Sequence, residues 1–109
     1  MKFLCASLAL SASVILLASC ETNLRTAPAV TSAFVRLSAR ESANPRTLEE
    51  GRRLYVNRCI ACHALPAIGR YDSKRIPGIV NWMSHRASLT PEQKEALIMY
   101  LLAVKSKSP

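Results

Sequence analysis

The chain has 109 residues, room for one small domain and no more. Its net charge is +8, from 15 Lys plus Arg against 7 Asp plus Glu, a balance that attracts anionic partners. The first residues direct the chain out of the cytoplasm, so nucleic acid is not the expected partner. Anionic lipid headgroups or an acidic protein are.

Residues 1–19 open with Lys2 and continue as an uncharged, mostly apolar run from Phe3 to Ser19. A positive start, an apolar middle and small residues at the end are the layout of a bacterial secretory signal. The run ends in Leu17-Ala18-Ser19-Cys20, which resembles the lipobox of bacterial lipoproteins. That resemblance implies that Cys20 is lipidated and becomes the mature N-terminus, on the periplasmic side of a membrane. Glu21 follows where an Asp would signal inner-membrane retention in enteric bacteria, which leans toward the outer membrane. An uncleaved anchor helix, or cleavage near Ala18, are the other readings.

Residues 20–46 are rich in Ala, Ser, Thr and Arg, with Pro28 and Pro45, and read as a lipidated N-terminus and flexible tether. As a coil such a segment would reach on the order of 30 Å from the membrane. Val30, Phe34 and Leu37 do sit at helical spacing.

The folded domain is expected over 47–109. Thr47-Leu48-Glu49-Glu50 has the form of a capping box, predicting a helix from Leu48 to about Arg58. That helix leads into Cys59-Ile60-Ala61-Cys62-His63. Cys5 leaves with the signal and Cys20 carries lipid, so Cys59 and Cys62 are the cysteines of the domain. A disulfide between them would close a very short loop and constrain the unfolded chain little.

A connector follows, broken by Pro66, Gly69, Pro77 and Gly78, with room for one short helix around Pro77 to Met83. The last segment begins Thr90-Pro91-Glu92-Gln93, with Thr90 as cap, Pro91 at the first helical position and Gln93 three after the cap. Glu92 and Glu95 near its start and Lys105 near its end suit the helix dipole, and Leu97, Leu101 and Val104 form an apolar stripe. No β-alternation or repeat appears, so the fold class is all-α. Two real helices around a long connector bury little apolar surface, so the domain needs something large and apolar at its centre.

The Cys-x-x-Cys-His stretch admits three readings. A thioredoxin-like redox pair needs a preceding strand and a βαβ pattern, and neither is present. A structural zinc site needs four ligands, and beyond Cys59, Cys62 and His63 the remaining nitrogen ligand is His85. The third is a covalently held haem, for which this spacing is the attachment signature. Two thiols about one helical turn apart can each join one vinyl group of the porphyrin, and the adjacent histidine can reach the iron. Haem also supplies the missing core.

Residues 47 to about 105 resemble the small class I-type bacterial cytochromes c. The stretch "EEGRRLYVNRCIACH" is similar to that family's N-terminal helix, with Gly51 and Tyr55 at the positions flanking its crossing with the C-terminal helix. "EALIMYLLAV" is similar to the C-terminal helix, with Tyr100 and Leu101 as the contacts. The resemblance implies an N- and a C-terminal helix crossing around one covalent haem c per chain. Cys59, Cys62 and His63 would bind it, and Pro66 matches the proline whose carbonyl receives the proximal imidazole N–H. Met83 is placed where the family presents its distal iron ligand. His85 is the rival ligand, and an open site is the third choice.

The expected function is electron transfer: a membrane-tethered carrier passing single electrons between redox proteins, acidic ones among them, with no small-molecule substrate. No Ser-His-Asp set, carboxylate pair or nucleotide loop suggests an enzyme. The alternatives are a haem module that binds or senses a small gas, and a haem relay subunit of a larger oxidoreductase complex.

Overall fold

A computed structural model describes residues 26–38, 44–61 and 65–107. Among these the regular structure is entirely helical, in agreement with the all-α expectation. Four α-helices follow in order: α1 (Ser32–Leu37), α2 (Pro45–Leu54), α3 (Ile76–Ser84) and α4 (Pro91–Lys105). Two 3₁₀ turns, Ile68–Arg70 and Ser73–Arg75, lie between α2 and α3. No helix among the described residues is long and apolar enough to cross a membrane.

Helix α2 begins earlier than its sequence suggests. Asn44 is the cap, its side-chain oxygen accepting the Arg46 N–H at 2.9 Å, and Pro45 fills the first turn. Proline's fixed φ suits that position, where its missing N–H costs nothing. Thr47 therefore lies inside the helix rather than capping it. Past Leu54 the helix widens into a π-helical turn, Tyr55–Cys59, a form often found at functional sites.

Helix α4 starts as its sequence requires. The Thr90 hydroxyl accepts the Gln93 N–H at 3.2 Å, and the Gln93 side chain accepts the Thr90 N–H at 3.1 Å. Helices α2 and α4 form the main packing contact. Leu48, Leu54, Tyr55, Leu97, Tyr100 and Leu101 are all buried there. Gly51 marks the closest approach: a Cβ at that position would lie 2.6 Å from the Tyr100 Cβ and nearer still to the Ala96 carbonyl oxygen. Glycine is a poor helix residue, and here the partner backbone occupies the space a side chain would need.

Helix α3 covers the cavity side of α4. Its end closes on Ser88, which adopts a left-handed conformation (φ 52°). The Ser88 N–H reaches the His85 carbonyl at 3.3 Å, and the Leu89 N–H reaches the Ser84 carbonyl at 3.1 Å. This is the Schellman pattern, which satisfies the last carbonyls and turns the chain sharply toward α4. At the far end of α4, Lys105 donates to the Gly69 carbonyl at 2.6 Å and pins the first 3₁₀ turn.

Residues 26–38 fall within the segment read from the sequence as tether, and they pack onto the helix pair instead. Thr31 caps α1 by accepting the Phe34 N–H at 3.1 Å. Phe34 is buried, its ring stacked on Tyr100 at 5.9 Å and covered by the Lys107 ammonium at 4.0 Å. The Tyr100 hydroxyl donates to the Pro28 carbonyl at 2.8 Å, and Arg52 Nε donates to the Ala27 carbonyl at 3.2 Å. Polar composition hid this docking, because the segment spends one aromatic and a few backbone carbonyls on it rather than a long apolar stripe.

Candidate functional site

An apolar cavity with an open mouth lies beside the helix pair. Four parts of the chain build it. The π-helical turn contributes Tyr55 and Cys59, and the connector contributes Pro66, Ile68 and Tyr71. Ile76, Ile79, Val80 and Met83 come from α3, and Leu97 and Leu101 from α4. Leu89, set in place by the Ser88 turn, completes the wall.

Two of the sequence-predicted site residues meet here. Cys59, from the start of the Cys-x-x-Cys-His stretch, and Met83 both line the cavity, and both are half-buried. Cys62 and His63, and Cys20 at the lipobox, lie outside the described residues. His85 is exposed at the end of α3 and is not part of the cavity wall. Between the two rival ligands, the fold places the methionine at the cavity.

Two hydroxyls of the wall are already engaged. The Tyr55 hydroxyl donates to the Pro66 carbonyl at 2.5 Å, and the Ser84 hydroxyl donates to the Asn81 carbonyl at 2.7 Å. Burial pushes the Tyr55 hydroxyl well above its ordinary pKa, so it stays protonated and donating. Among the described residues no buried side-chain polar atom lacks a partner. The cavity thus offers an occupant apolar surface and two sulfur atoms, with no free buried side chain to orient a polar substrate. A thiol and a thioether beside apolar walls suit an apolar occupant.

Tyr71, Ile68 and Leu89 were not singled out from the sequence. Tyr71 carried one usable signal, since it and Trp82 are the two aromatics of a connector otherwise broken by Pro and Gly. Leu89 had none, since its place depends on the left-handed Ser88.

No protein-family model, curated protein or solved structure matches this chain.

Proposed function

We propose that the protein is an exported, lipid-anchored c-type cytochrome that carries single electrons between redox proteins and is not itself an enzyme. The observation that carries this reading is the meeting of Cys59 and Met83 at one apolar cavity. A Cys-x-x-Cys-His stretch is a short pattern. It gains weight when its first cysteine opens onto an apolar cavity that a thioether also lines.

Cys59, Met83 and the apolar lining suit a haem. Cys59 and Cys62 would hold it by thioether bonds, and His63 and Met83 would ligate the iron. Bound there, haem would supply a one-electron Fe(III)/Fe(II) couple, with a methionine ligand favouring the ferrous form. The apolar walls from α3 and α4 would limit the access of water to it. The Pro66 carbonyl uses one lone pair on Tyr55, and its second is free to accept the imidazole N–H of His63, fixing the ring. The secretory signal over residues 1–19 and lipidation at Cys20 would put the domain at a periplasmic membrane surface, the outer membrane favoured. There it would meet redox partners, acidic ones included.

Haem-dependent peroxidase staining after denaturing electrophoresis tests the attachment. The wild-type band should stain, and the Cys59→Ala/Cys62→Ala variant should not. An unstained wild-type band, or a well-folded domain without haem, overturns the proposal.

A further inference from the structure

We propose that the exposed face of α3, with the 3₁₀ turn before it, docks onto anionic phospholipid headgroups. Trp82 is 64% exposed on that face, an unusual place for the one tryptophan of the chain. The Arg86 guanidinium lies over its ring at 5.0 Å. Lys74 and Arg75 line an open groove together with Trp82 and Ile79.

The charge on this face is one-sided. Helix α3 carries no acidic residue, and Asp72 is the only acid between Glu50 and Glu92. The Asp72 carboxylate is turned to its own backbone, accepting the Lys74 N–H at 2.9 Å. An indole ring at the surface, flanked by Arg and Lys, is suited to the headgroup layer, where an apolar body and a polar edge are both accommodated. Each Lys or Arg brought near an anionic leaflet strengthens the association.

The docked N-terminal segment favours a bilayer over a protein as the occupant. The chain is packed against the domain from Ala27 onward, through the contacts of Ala27 and Pro28 with Arg52 and Tyr100. From Cys20 to Thr26 the backbone can span at most about 20 Å, whatever its conformation. This step rests on the lipid anchor proposed above; the surface itself does not. A domain held so close meets headgroups at high effective concentration, so a modest patch is enough. The groove shares Tyr71, Ile79 and Met83 with the cavity, so docking brings that wall of the cavity to headgroup level.

The test is hydroxyl-radical footprinting of Trp82, read by mass spectrometry, on the full exported protein mixed with phosphatidylglycerol or phosphatidylcholine vesicles. On phosphatidylglycerol, Trp82 oxidation should fall about fivefold or more. Lys74→Glu/Arg75→Glu should restore it, whereas Arg36→Glu/Arg46→Glu, with the same charge change on exposed sites of α1 and α2, should not. Protein bound to phosphatidylglycerol with Trp82 still exposed overturns the proposal, as does protein that stays off those vesicles. Equal effects of the two charge reversals overturn it too, leaving only net charge. Trp82 exposed on vesicles but protected by an acidic redox protein would assign the face to a protein partner instead. Binding to phosphatidylcholine reports on the lipid anchor separately, so failure of the anchor and failure of the surface are distinguishable.

Discussion

Gly51 and Tyr100 face each other across the crossing of α2 and α4, with room for a hydrogen atom at residue 51 and nothing larger. The nearest atoms belong to the Ala96 backbone, which cannot rotate away as a side chain could. Gly51→Ala should therefore destabilise the domain by about 1–3 kcal/mol, despite the better helix propensity of alanine. Thermal unfolding followed by far-UV circular dichroism reads the effect. A variant as stable as wild type would mean that the helices do not cross at this distance.

Phe34 is the aromatic plug that holds the N-terminal segment to Tyr100. Phe34→Ala should cost about 1.5–3 kcal/mol, the value of one buried aromatic side chain. It should also open residues 26–38 to proteolysis while α2 and α4 stay protected. Unchanged stability together with unchanged protease resistance would show that the segment is not docked.

Burial raises the pKa of both Tyr55 and Tyr100 far above the ordinary tyrosine value of about 10. Below that value both states keep the proton and the contribution is complete. Above it the unfolded chain ionises while the folded one does not, so stability must fall as pH rises. The slope approaches about 1.4 kcal/mol per pH unit for each tyrosine. Urea unfolding at several pH values between 8 and 11 measures it. Tyr55→Phe should remove about half of the slope and cost about 1 kcal/mol at neutral pH through the lost bond to Pro66. An identical slope in the variant would rule out the protonated, buried hydroxyl.

Met83 lines the cavity and His85 does not, so the two substitutions should separate cleanly. If haem occupies the cavity, the oxidised wild type should show the weak red absorption band of a sulfur–iron bond. The reduced protein should bind carbon monoxide slowly or not at all. Met83→Ala should abolish the band, lower the reduction potential and admit carbon monoxide, with the haem still covalent. His85→Ala should change none of these. Rapid carbon monoxide binding by the wild type would favour the gas-binding alternative.

Local chemistry made much of this protein legible before folding. Thr90, Pro91 and Gln93 specify the start of α4 through hydrogen bonds that span three residues, and the structure makes both of them. Gly51 announced a helix crossing because a glycine inside a helix needs a steric reason. The all-α class followed from the absence of alternation and the presence of two capped, apolar-striped segments. The start of α2 was misread because two capping signals overlap: Asn44-Pro45 and Thr47-x-x-Glu50 both suit a helix start, and Pro45 at the first turn favours the earlier one.

Tertiary structure alone decided the rest, since it depends on which distant surfaces meet. Phe34, inside a polar, Pro-containing stretch, has only its helical spacing with Val30 and Leu37 as a local mark, and its partner Tyr100 is far along the chain. Which of Met83 and His85 reaches the cavity turns on the direction each takes from α3, which packing against α4 sets: Met83 falls on the cavity side, His85 on the solvent side. Trp82, beside Met83 in sequence, is sent outward by the same helical rotation, toward Lys74 and Arg75. Spacing along a chain encodes helices and caps because those bonds are local. Which side of a helix meets the core is fixed only when the other helices arrive.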